Sequence, residues 1–137
     1  RHHRVVVAHV GDSRIYRIRA GTLQPLTLDH SLWGELARAG TPQGPRGGSP
    51  YGNVITRALG AAASAPDVTT VDVAVGDVLV LCTDGLWEPV DDDALIATCT
   101  SARPAAACAA LIAAALDGGG RDNITVIVAH VHAGRRA

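Results

Sequence analysis

Residues 76–90, GDVLVLCTDGLWEPV, constrain the fold more than any other stretch of this chain. Val78 to Leu81 form a continuous, branched apolar run whose length suits a strand buried on both faces, and the run stops at Asp84-Gly85. A carboxylate at the end of a buried strand, followed by a glycine able to take positive φ, stands at a rigid edge that a cation or water can reach. Asp84 is therefore the first candidate for chemistry. Asp-Gly is also among the commonest turn pairs, so the pair alone leaves both readings open.

The elements on either side are legible from periodicity. VVVAHV at 5–10, the turn Gly11-Asp12-Ser13-Arg14, IYRIR at 15–19 and TLQPLTL at 22–28 predict an antiparallel meander, with Ile15, Tyr16 and Ile18 on its faces. Asp12, like Asp84, stands at the exit of an apolar strand, and a local turn role fits it equally well. LDHSLWGELARAG at 28–40 predicts a short amphipathic helix capped by Asp29 or Ser31, with Leu32, Trp33, Leu36 and Ala37 at helical spacing and Gly40 as its stop. His30, just ahead of that helix, reads better as a hydrogen-bonded structural group than as a catalytic one.

TPQGPRGGSPYG at 41–52 is too rich in proline and glycine for a regular element and is the one candidate for a mobile flap. Order is expected to return at NVITRALG, 53–60, and VTTVDVAV at 68–75 alternates as a half-buried strand offering Val68, Val71, Val73 and Val75 to a core. Beyond Asp84, Asp91 is the expected cap of a helix with Asp92 and Asp93 in its first turn. Adjacent aspartates point in different directions, which argues against a metal cluster there. Pro104 opens a second helix to residue 117, Gly118–Gly120 break it, and ITVIVAHVH at 124–132 is the last strand, with His130 and His132 on one face but no third ligand in view.

The 137 residues suit one domain, taken as 1–137, and no internal repeat is visible. There is no methionine, and the chain enters a strand almost at once, so a fragment is expected. With 12 basic and 13 acidic side chains scattered along it, a nucleic-acid partner is not expected. Cys82, Cys99 and Cys108 lie in apolar contexts without zinc-ligand spacing, as core thiols of a reducing, cytoplasmic setting would. The longest apolar run, 104–116, is too short to span a membrane.

Asp12, Asp84 and Asp122 share one local grammar: each stands at a strand boundary beside glycine or another turn former. Were their strands neighbours, the three carboxylates would converge, and clustered oxygen ligands without His or Cys suit hard divalent cations such as Mg²⁺ or Mn²⁺.

AHVGDSRIYRI, LTLDHS, NVITRALG, GDVLVLCTDGLWEPV and GGRDNITVIV, in this order, resemble the C-terminal half of the metal-dependent protein serine/threonine phosphatases, the PPM or type 2C family in its bacterial form. The resemblance spans about residues 5–131. It implies an α+β fold, the four-layer α-β-β-α sandwich, and a binuclear Mn²⁺ or Mg²⁺ centre, with two or three ions in the complete domain. Asp84 and Asp122 match ligands of that centre, Asp12 matches the ligand of a third and weaker site, and the loop at 41–52, with Gly44, Arg46, Gly47 and Gly48, matches the flap. The implied activity is hydrolysis of phosphoserine and phosphothreonine in proteins, targets of a bacterial serine/threonine kinase, by a metal-activated water. The family's N-terminal motifs are not in this sequence: the phosphate-binding arginine and the Asp-Gly-x-Gly-Gly segment with the bridging aspartate. The chain alone is accordingly expected to be inactive, the alternative being a non-catalytic, phosphatase-like binding or regulatory module.

Overall fold

A computed structural model describes residues 3–41, 46, 49–62 and 64–134. Among the described residues six strands and four helices follow one another as β1 His3–His9, β2 Arg14–Arg19, β3 Thr22–Pro25, α1 Leu32–Arg38, β4 Asp67–Val73, β5 Val78–Cys82, α2 Asp84–Trp87, α3 Asp92–Ser101, α4 Pro104–Asp117 and β6 Val126–His130. The strands form two antiparallel sheets, β1-β4 and β3-β2-β5-β6. The class is α+β, as the resemblance implies, with two sheets and one helical layer of the four-layer sandwich among the described residues.

The central apolar run is β5, paired on one side with β2 and on the other with β6. Its Val78, Val80 and Cys82 are buried with Tyr16, Ile18 and Val128 from the neighbouring strands. The α3–α4 layer covers this face, supplying Leu95, Cys99, Ala107, Leu111 and Ala115. The spacing of 107, 111 and 115 places one side chain per turn against the sheet. Leu79 and Leu81, on the opposite face, are only half-buried, so the strand is fully covered on one face, not on both.

The opening meander is corrected. The β2–β3 hairpin forms, but β1 leaves that sheet and pairs with β4, His3 opposite Val73 and His9 opposite Asp67. The backbone of the turn explains why. Gly11 takes φ 104°, its N–H donates to Nδ1 of His30 at 3.1 Å, and its carbonyl accepts from the His30 N–H at 2.8 Å. Residue 30 therefore satisfies groups that a β1–β2 hairpin would have needed. Arg17 and Arg19 of β2 tie the two sheets together by donating to the Asp72 carbonyl on β4. Of the four valines expected in a core, Val73 is buried and Val71 half-buried, while Val68 and Val75 are exposed.

Helix boundaries follow their caps. Ser31, not Asp29, caps α1 by accepting from the Gly34 N–H, and Gly40 beyond its end has φ 77°. Asp91 caps α3 by accepting from Ala94 N–H at 2.7 Å, and Pro104 stands at the start of α4. Residues 53–56 form no strand but run beside the start of α1, with Leu32 N–H on the Val54 carbonyl and Thr56 N–H on the His30 carbonyl. The three cysteines are free, two of them buried. Among the described residues no helix is long and apolar enough to cross a membrane.

Candidate active site

At the end of β5 the chain enters α2 without a turn. Thr83 fixes the junction: its Oγ1 donates to the Asn123 carbonyl and accepts from the Thr125 N–H, both at 3.0 Å, and its own N–H reaches the Thr125 carbonyl. Gly85 is helical, so the expected positive φ is corrected. Its requirement is close approach, because a Cβ there would lie 2.5 Å from the Asn123 carbonyl oxygen. The 121–125 segment is thus pressed against the first turn of α2. Asp84 accepts from the Gly85 N–H at 2.9 Å and Asp122 from the Asn123 N–H at 2.6 Å, which orients both carboxylates.

Asp84 and Asp122 line one open cleft of about 510 Å³, together with Arg14, Arg46, Trp87 and Arg121. Burial raises the Asp84 carboxyl above the ordinary carboxylate range, Asp12 and then Asp122 push it further in the same direction, and the Gly85 N–H and, less strongly, Arg46 oppose them. The three aspartates singled out in the sequence therefore lie in one electrostatic field.

A network that the sequence reading did not anticipate holds the rim. Arg14 binds Asp29 through two parallel bonds of 2.9 and 2.8 Å and donates to the Tyr16 hydroxyl. Burial works against the Arg14 charge, but these bonds outweigh it and its pKa lies above the ordinary arginine value. Arg46 reaches Asp12 at 2.6 Å, Asp29 at 3.0 Å and the Gly52 carbonyl at 2.8 Å. Both guanidinium groups lie over the Trp87 ring, at 3.4 Å for Arg14 and 4.5 Å for Arg46, and the Trp87 indole N–H donates to the Asp12 carbonyl. Of the four flap positions, only Arg46 is described; Gly44, Gly47 and Gly48 lie outside the described residues. The available signals for Arg14 and Asp29 were their places in GDSR and LDHS; Trp87 gave none beyond its closeness to Asp84.

His30 is a structural group. Its Nδ1 accepts from Gly11, which leaves Nε2 to donate to Asp67 at 2.9 Å, and the ring is 1% exposed. The buried His9 ring stands 4.8 Å from it, and burial, then His30, hold His9 below the usual histidine pKa. His130 is tied to the Cys99 carbonyl at 3.0 Å.

The donor set fits a hard divalent cation in kind: oxygen donors only, a carboxyl destabilised as an anion by burial first and by its acidic neighbours second, and a guanidinium standing as cation on Asp12. It falls short in number, since among the described residues no three of His, Cys, Asp or Glu gather closely enough to hold a metal ion by themselves.

Residues 3–132 match the family model described as stage II sporulation protein E (SpoIIE). The chain belongs to the SpoIIE/PPM family of bacterial serine/threonine phosphatase domains. Among relatives of this SpoIIE/PPM domain, the serine/threonine protein phosphatase PstP of Mycobacterium tuberculosis is 37% identical over 130 residues, which cover 93% of this chain and 25% of PstP. The protein phosphatase PhpP of Streptococcus pneumoniae is 40% identical over 125 residues, covering 88% of this chain and 50% of PhpP. A crystal structure of the PstP catalytic domain in complex with two manganese ions superposes with a TM-score of 0.82 at 35% identity, covering 95% of this chain and 54% of that one. The chain thus spans a quarter to a half of the length of these curated relatives.

Proposed function

We propose that this chain is the C-terminal portion of a single metal-dependent phosphoprotein phosphatase domain. In that domain Asp84 and Asp122 hold Mn²⁺ or Mg²⁺, and Asp12 holds a further ion. One observation carries the reading: the contact of Gly85 with the Asn123 carbonyl, stitched by Thr83, brings Asp84 and Asp122 into one cleft where burial, and then acidic neighbours, disfavour an uncompensated carboxylate. Divalent ions bound there supply an activated water and neutralise charge on phosphoryl oxygens.

The chain's own residues do the rest. Asp29 holds Arg14 and Arg46 in place, Trp87 supports both guanidinium planes and fixes the Asp12 backbone, and Arg121 offers a positive group beside Asp122 on the cleft wall. The substrates in this reading are proteins carrying phosphoserine or phosphothreonine. The 137 residues by themselves are inactive, because they contain no carboxylate in the role of the bridging ligand. A non-catalytic module is the second reading, supported by the lack of three gathered ligands among the described residues.

Hydrolysis of p-nitrophenyl phosphate and a phosphothreonine peptide in Mn²⁺ separates the two. The comparison is between this chain, a polypeptide extended upstream in the same reading frame, and that polypeptide with Asp84→Asn. Activity in the extended protein that is lost with Asp84→Asn, and is absent from the 137 residues, is the expected result. A folded extended protein without activity in Mn²⁺ overturns the catalytic reading and leaves the binding module.

A further inference from the structure

Arg46 is a cation placed where a metal ligand needs one. Its side chain is 8% exposed and its contact with Asp12, itself 18% exposed, is the shortest of its three charge contacts. Every guanidinium nitrogen is engaged: Nε with Gly52, and the two terminal nitrogens with Asp29 and Asp12. The two carboxylates do not depend on Arg46 equally. Asp29 is already held by Arg14 through two bonds, whereas the side-chain partner shown for the Asp12 carboxylate is Arg46.

A guanidinium bonded at 2.6 Å and a divalent cation compete for the same oxygen lone pairs, and two cations that close repel. We infer that Arg46 is the internal counter-cation of Asp12, and that a divalent ion reaching Asp12 displaces it. This rests on Asp12 being a cation ligand. Cation affinity at Asp12 is then set by a residue of the 41–52 segment, remote in sequence from all three aspartates. Displacement leaves Arg46 attached to Asp29 and Gly52, with one terminal nitrogen released on the wall of the cleft. Arg46 is a positioning residue in this account, since it acts through Asp12.

The molecule carries its own reporter. It has two tryptophans, and one of them, Trp87, lies under the Arg46 guanidinium at 4.5 Å and donates to the Asp12 carbonyl. In a Trp33→Phe background, emission therefore comes from Trp87 alone. The test uses the 137-residue chain in that background and measures Mn²⁺ binding by the free-ion electron paramagnetic resonance signal and Mg²⁺ binding by Trp87 emission. Arg46→Gln is expected to tighten Mn²⁺ binding about tenfold and to remove the cation-induced change in emission. Asp12→Asn is expected to weaken binding with Arg46 intact, and to cancel the gain when combined with Arg46→Gln.

Unchanged or weaker Mn²⁺ binding in Arg46→Gln, or a gain that survives Asp12→Asn, overturns the inference while leaving the metal reading standing. Should Arg46→Gln lose its fold by circular dichroism, Asp12→Asn decides alone: unaltered binding and an unaltered Trp87 response contradict the inference. Absence of Mn²⁺ binding in every variant of the 137 residues, including the parent, overturns the inference; the metal reading fails as well only if the polypeptide extended upstream in the same reading frame also binds no Mn²⁺.

Discussion

Gly85 and Asn123 are in such close register that no side chain fits between them: a Cβ on residue 85 would stand 2.5 Å from the Asn123 carbonyl oxygen. The contact sets the spacing between the first turn of α2 and the segment carrying Asp122. Gly85→Ala forces that backbone apart, at a cost of about 1–3 kcal/mol. Chemical denaturation should show the loss of stability, and Mn²⁺ affinity should fall with it because Asp84 and Asp122 separate. Native stability in Gly85→Ala contradicts the close-approach account.

The acidic run at 91–93 serves a helix, not a metal. Asp91 accepts from the Ala94 N–H at 2.7 Å and so satisfies one of the free donors at the start of α3. Asp91→Ala is expected to cost about 1 kcal/mol of stability and to leave Mn²⁺ binding unchanged. A loss of Mn²⁺ affinity without loss of stability would reverse the assignment.

Asp77 gives the fold an acid-sensitive tie. Its side chain is 2% exposed, bound by Arg19 at 2.6 and 2.7 Å and by the Ala74 N–H at 2.9 Å. Arg19, and then the Ala74 N–H, hold its carboxyl below the usual range against the opposing effect of burial. A depressed folded pKa adds stability that is present above the unfolded value near pH 3.9 and is lost as pH falls through the lower folded value. Asp77→Asn should therefore melt several degrees lower at pH 7, and its melting temperature should converge on that of the wild type below about pH 4. A gap that stays constant through pH 3 argues against the ion pair as its source.

The core thiols should be inert. Burial pushes Cys82 up to about 12 and Cys99 up to about 11, so neither supplies thiolate near neutrality. Native protein at pH 8 is expected to leave both unmodified by iodoacetamide, while denatured protein is labelled at each. Rapid native labelling of either would show that the α3–α4 layer does not seal the sheet.

Local chemistry was readable where a residue's role depends on its sequence neighbours. The Asp91 cap, Pro104 at the start of α4, the β2–β3 hairpin and the central strand β5 all follow from spacing within a dozen residues. What sequence did not disclose depends on distant partners. A β-branched apolar run marks β1 as a strand without saying that β4, 58 or more residues away in sequence, is its neighbour, and the turn after β1 closes on His30 instead of on itself. Gly85 showed its need for glycine but not the reason, since the carbonyl that demands it belongs to Asn123. Arg14, Asp29, Arg46 and Trp87 come together from four separate segments, and only the fold makes them one network.

The most direct test of the account is where Mn²⁺ binds on this chain. Paramagnetic broadening of assigned amide resonances, with Mn²⁺ added well below stoichiometry to the polypeptide extended upstream in the same reading frame, reports that position residue by residue. The account predicts selective loss of the Gly85, Asp122 and Asn123 signals, abolished by Asp84→Asn, because Asp84 and Asp122 face one cleft. Broadening centred on His130 and His132, or none above that of bulk ions, contradicts the claim that these aspartates form a cation site.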